Sequence, residues 1–132
     1  MFTKYFAIGG INAALAIALG AFGAHGLEEH LTEHYLEVFE TGVRYHMYSA
    51  IALMLIALFA KQIGESKLLL NGARLIFAGT IIFSGSLYVL SLTSFSKLGM
   101  ITPIGGVALI AGWACVIIAA INKSRVKGSD IT

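Results

Sequence analysis

Gly20-Ala21-Phe22-Gly23-Ala24-His25-Gly26 closes a long apolar run and hands the chain to its most acidic part. Upstream of it, residues 5–24 carry no charge after Lys4. A stretch of about 20 apolar residues suffices to cross the hydrocarbon of a bilayer. Downstream, residues 27–41 hold five glutamates and two histidines, so the motif sits where a span meets the membrane surface. Of the 132 residues, 58% are hydrophobic and 12% are charged. The mean hydropathy is +0.84. A soluble domain is about 25% charged, and one this small has too little interior to hide so much apolar surface. A lipid-facing exterior removes that difficulty, so composition points to an integral membrane protein.

Three more apolar runs follow, giving spans at about 5–24, 42–60, 72–92 and 102–121. In the first span Asn12, Ala16, Gly20 and Ala24 recur every fourth position, as do Gly9, Ala13 and Ile17. Such small-residue stripes let helix backbones approach closely in lipid. Asn12 lies on one of them, and an amide in lipid needs a partner, so it should face another helix. Between spans one and two, Glu33, Glu37, Glu40 and Arg44 share one helical stripe, and Leu36, Phe39, Val43 and Met47 another. The pattern predicts an amphipathic helix lying at the interface, capped by Thr32 and bending near Gly42 to enter the membrane. The first turns of span two, with Arg44, Tyr45, His46, Tyr48 and Ser49, suit an interfacial belt. On span three, Thr80, Ser84, Tyr88 and Ser91 form one hydroxyl-bearing face. Span four opens with Thr102 as its cap and Pro103 in the first turn, and Trp113, near mid-span, should turn its N–H into the bundle. Gly20, Gly23, Gly85, Gly105, Gly106 and Gly112 are the expected close-packing positions. Residues 122–132 read as a basic, mobile tail. The lone cysteine, Cys115, cannot form an intramolecular disulfide.

Topology follows from charge. With four spans, both termini and the middle turn share a side, which holds Lys4, Lys61, Lys67, Arg74, Lys123, Arg125 and Lys127; the other holds Arg44 and Lys97. Positive residues favour the cytoplasm, so both termini are expected there. A rival reading makes the first run a cleaved signal peptide ending at Ala-Phe-Gly-Ala; its apolar core is longer than usual for one. A net charge of +2 without a basic, aromatic-interleaved patch argues against nucleic acid as a partner.

The whole pattern resembles a known family. Gly20-Ala-Phe-Gly-Ala-His25-Gly26, then Thr41-Gly42 with Tyr45, then Phe83-Ser-Gly-Ser-Leu-Tyr88, then Thr102-Pro-Ile-Gly-Gly106 with Gly112-Trp113 are similar to an uncharacterised family of small bacterial inner-membrane proteins. That family has four spans, a mitochondrial transmembrane relative in animals, and the label "domain of unknown function". The resemblance implies an all-α, four-transmembrane-helix bundle in the bacterial cytoplasmic membrane, with an amphipathic segment between spans one and two. It implies no activity. In the family a histidine often stands four residues after the tyrosine of span two; here that position is Ser49, and His46 lies almost one turn earlier.

Three constellations invite chemistry, and each has a plainer reading. His30-Leu-Thr-Glu33-His34 matches the H-x-x-E-H pattern of inverted zinc peptidases. Catalytic zinc needs three protein ligands and an open position, and if Thr32 is a cap, His30 falls outside the helix; the plainer reading is a solvated acidic surface. His25 ends the first span, where it could offset unpaired carbonyls or handle a proton. The hydroxyl face of span three, with Tyr45, Asn12 and His25, could line a small polar pocket, or simply hold helices together. No Asp, Glu, Lys or Arg lies mid-span, which argues against proton-coupled antiport through a buried carboxylate. The expected role is non-enzymatic, without cofactor: a scaffold, accessory subunit or lipid-interacting module in the bilayer, as a homo-oligomer or beside another membrane protein. A small channel or transporter is the alternative, and a metal-dependent membrane enzyme the distant one.

Overall fold

Thr32 adopts an extended backbone and its side chain accepts from the Tyr35 N–H at 3.3 Å, so the helix that follows starts where the cap requires. The structure, a computed structural model, describes residues 2–64 and 66–131, with side chains described to residue 124 apart from residue 65. Among the described residues there are four long helices and no strand: α1 (Phe2–Phe22), α2 (Glu33–Ile63), α3 (Lys67–Thr93) and α4 (Thr102–Ile131). All four are long and apolar enough to cross a membrane. Turns at Gly64, with φ of 84°, and Ser94, in the left-handed region, separate α2 from α3 and end α3.

α1 packs along α2, α2 along α3, and α3 along α4. The middle pair is therefore the more buried, while Ile11, Leu15 and Ile17 of α1 and Ile104, Val107 and Ile110 of α4 face outward. The contact lines repeat every seven residues. Phe2, Gly9, Ala16 and Gly23 are buried along α1. Gly72, Gly79 and Ser86 are buried at seven-residue spacing along α3, as are Gly105, Gly112 and Ala119 along α4, and Gly72 meets Gly112 while Gly79 meets Gly105. A seven-residue repeat keeps one stripe on the contact line of two helices crossing at a shallow angle. The approach is backbone to backbone. A Cβ built on Gly72 would lie 3.0 Å from the Gly112 carbonyl oxygen, one on Gly112 2.9 Å from that of Gly72, and one on Gly79 3.0 Å from that of Gly105.

Several local expectations change. Residues 33–41 are the first turns of α2, which stays helical through Gly42. Gly42 is clamped rather than free to bend, because the Tyr88 ring lies 2.9 Å from where its Cβ would be and Ser84 donates to its carbonyl at 2.8 Å. Backbone helix continues past Phe22 through a π turn, Gly23–Leu27, with His25 in its last turn. The Phe39 ring presses to 2.8 Å from the Cβ position of Gly23, and glycine leaves room for that wider turn. The tail expected from residue 122 continues α4 to Ile131; the side chains of Arg125 and Lys127 lie outside the described residues. Trp113 is 43% exposed on the outer face of α4 rather than turned inward. Among the expected close-packing glycines, Gly20, Gly23, Gly105 and Gly112 meet a neighbouring helix closely, Gly106 makes ordinary contact with Phe83, and Gly85 faces open space.

Candidate functional site

Asn12 is half-buried on α1, and the bonds of its amide fix how the rest of the site is wired. Its Nδ2 donates to the Ile8 carbonyl, one turn back, at 2.8 Å. That anchor turns Oδ1 toward α2, where it lies 2.8 Å from His46 Nε2. A carbonyl oxygen only accepts, so Nε2 carries the hydrogen. In the neutral imidazole Nδ1 is then an acceptor, and the Tyr88 hydroxyl, 2.9 Å away on α3, donates to it. The result is a directed chain across three helices: Tyr88 O–H to His46, His46 N–H to Asn12, Asn12 N–H to the α1 backbone.

The surroundings hold the imidazole in place. His46 is buried, and its ring meets the Tyr88 ring edge-on at 5.9 Å. Phe39 packs against the other side of the Tyr88 ring at 5.1 Å. Ser84, one turn before Tyr88, is 2% exposed and binds the Gly42 carbonyl, one turn before His46. Thus α2 and α3 are joined twice, by a hydroxyl to backbone and by a phenol to imidazole. A second link lies toward α4, where the Ser86 and Thr102 hydroxyls stand 2.6 Å apart. The Thr102 hydroxyl thus joins α4 to α3, and it also lies within hydrogen-bond reach of the Leu98 carbonyl at 3.5 Å.

The residues expected to form a polar pocket separate into distinct groups. Asn12 and Tyr88 meet through His46, and Ser84 stands beside them. Thr80 and Ser91 are buried, but each bonds to its own helix, to the carbonyls of Ile76 and Tyr88. Tyr45 is exposed and meets the Phe83 ring edge-on at 4.9 Å. His25 is exposed in the π turn and stands apart from the chain. His46, expected in an interfacial belt, is instead the central member. Among the described residues no buried side-chain nitrogen or oxygen lacks a partner. His30 lies in the turn before the Thr32 cap, and His34 is exposed and packs on Tyr35, so the H-x-x-E-H pattern does not form one helical face. Among the described residues no group of three or more His, Cys, Asp or Glu side chains is placed to hold a metal ion.

Four apolar helices joined by buried polar links define a multi-pass membrane protein of the helical-bundle class. The comparisons agree and go further. Residues 19–106 match the family described as "Protein of unknown function (DUF423)", and the chain belongs to that family. It is similar to UPF0382 membrane protein YwdK of Bacillus subtilis (strain 168), with 49% identity over 118 residues, 89% of this chain and 96% of the relative. It is also similar to UPF0382 membrane protein SAB0533 of Staphylococcus aureus (strain bovine RF122 / ET3-1), 48% identical over 116 residues, 87% of this chain and 93% of the relative. A UPF0382 membrane protein of Staphylococcus epidermidis (strain ATCC 12228 / FDA PCI 1200) is 43% identical over 119 residues, 89% of this chain and 95% of the relative. No solved structure matches.

Proposed function

We propose that this protein is a non-enzymatic membrane module, a rigid four-helix scaffold that acts through its lipid- and partner-facing surface. The observation that carries this reading is how the polar groups are used. Asn12, His46, Tyr88 and Ser84 bind one another or backbone, and so hold α1, α2 and α3 in register. Polar groups engaged in this way act as helix adhesion, and glycine seams at backbone contact leave little freedom for a moving gate. The exposed apolar faces of α1 and α4 are the surfaces left for lipid, a second copy or another membrane protein. In this reading both termini lie in the cytoplasm, on the side of Lys4, Lys61, Lys67 and Lys123.

The test is solute and ion flux through proteoliposomes, alongside cross-linking in native membranes. The reading expects background flux and a discrete cross-linked species, either a homo-oligomer or a membrane-protein complex. A flux that disappears in Ser84→Ala or Tyr88→Phe would replace it with the channel or transporter reading.

A further inference from the structure

A cavity of about 410 Å³ opens where α1 begins and α2 ends, lined by Phe2, Thr3, Phe6, Ala57, Leu58 and Lys61, with Ala60 at its back. Its lining changes with depth. At the helix ends the wall carries its two polar side chains, Thr3 from α1 and Lys61 from α2, both exposed, beside the buried Phe2 and Ala60. One turn further in, along both helices, it is apolar: Phe6, Ala57 and Leu58. Phe6 and Leu58 are exposed, at 41% and 52%, so the deeper wall presents free hydrocarbon surface. Lys4, next to Thr3 in the chain but outside the cavity lining, is exposed and rests 5.6 Å from the centre of the Tyr5 ring.

We propose that this cavity is a binding site for an anionic phospholipid, its phosphate held by Lys61 and Thr3 and an acyl chain laid along Phe6 and Leu58. The occupant follows from the gradient. A free anion would leave the apolar wall unused, and an uncharged amphiphile would leave the Lys61 ammonium without a counter-charge. A phospholipid with a negative head satisfies both in the orientation the bilayer imposes, and each lysine near such a surface strengthens the attraction several-fold. Charge elsewhere reinforces the choice. Lys4, Lys61, Lys67 and Lys123 stand at this end of the bundle, while Glu28, Glu29, Glu33, Glu37 and Glu40 stand at the other and would repel the same headgroup. Glu65, in the α2–α3 turn, lies outside the described residues. A second cavity at the same end, lined by Phe59, Gln62, Ile63, Ala120, Lys123 and Ser124, also carries one lysine but has fewer apolar side chains, and so offers less hydrocarbon to an acyl chain.

The inference rests on the scaffold reading only in treating the bilayer as a partner. Its test uses the full chain, reconstituted in vesicles of equal phosphatidylglycerol and phosphatidylcholine, extracted in mild detergent, with co-purifying lipid measured by native mass spectrometry. The wild type should retain phosphatidylglycerol in preference to phosphatidylcholine. Lys61→Gln should lower that retention about fivefold, the effect of one lysine at a membrane surface. Lys67→Gln, at the same end but outside the cavity, should leave it unchanged. Both are exposed charges whose loss leaves the fold intact. Equal retention of the two lipids overturns the proposal, as does an equal loss in both variants. Displacement of the lipid by inorganic phosphate also overturns it, in favour of a free-anion site. None of these outcomes bears on solute flux, so failure here is distinct from failure of the scaffold reading.

Discussion

Replacing His46 by leucine removes the centre of the polar chain while keeping roughly the same volume. Two groups are then left without partners, Asn12 Oδ1 and the Tyr88 hydroxyl. Hydrogen bonds between membrane helices contribute about 0.6 kcal/mol each on average, because the unfolded chain in lipid also finds partners. A buried polar group with no partner costs more, about 1–3 kcal/mol. His46 is 7% exposed, so neither orphan is readily rescued by water, and the expected loss for His46→Leu is about 2 kcal/mol. Tyr88→Phe removes one donor and leaves only Nδ1 unpaired, for about 1 kcal/mol. The decisive measurement is a double-mutant cycle on unfolding in a mild detergent. In the His46→Leu background the Tyr88 hydroxyl is already an orphan, so Tyr88→Phe should become neutral or stabilising. Strict additivity would show that the three side chains do not form one unit. Nitrogen-15 spectra of labelled histidine supply an independent check: His46 should carry its hydrogen on Nε2. An Nδ1–H tautomer would refute the wiring, since it would aim two acceptors at each other across the α1–α2 contact.

The glycines offer a second contrast. Gly112→Ala places a methyl carbon 2.7 Å from Ile76 Cγ1 and 2.9 Å from the Gly72 carbonyl oxygen, and should destabilise the bundle by about 1–3 kcal/mol. Gly85→Ala meets nothing within 4 Å and should be neutral or stabilising by up to about 1 kcal/mol, since alanine is the better helix former; equal effects at the two sites in thermal melts would refute the seam. At the start of α2, Thr32→Ala should cost about 1 kcal/mol through the lost cap. His25→Ala, at an exposed position outside the polar chain, should leave the melting temperature unchanged; a fall comparable to the Thr32 variant would show a bond for His25 that the structure lacks.

Much of the site was within reach of a sequence reading, and the failures are instructive. Asn12 was expected to face another helix because an amide in lipid has few alternatives, and it does. Ser84 and Tyr88 were expected on one face, one turn apart, and they are. His46 was missed because it lies among Arg44, Tyr45, Tyr48 and Ser49, where any rotation of the helix buries some polar group. The rotation is set by Phe39 and Gly42, two turns and one turn earlier, which seat against Gly23 and Tyr88. The glycine seam did carry a signal: Gly72 and Gly79, like Gly105 and Gly112, are seven apart. A search at four-residue spacing passes over it, although two helices packed lengthwise return to the same contact line after seven residues rather than four.

The sequence by itself determined the class of this protein, its four long apolar helices, and the turns and cap that delimit α2. These depend on the length of apolar stretches and on local backbone chemistry, which a chain carries whatever its neighbours do. Only the tertiary structure decided that His46, and neither His25 nor the His30–His34 pair, joins the buried polar chain, and that Gly112 is a contact while Gly85 is not. Both outcomes depend on the rotation and register of one helix against another, and those are set by the summed fit of many side chains rather than by any single motif.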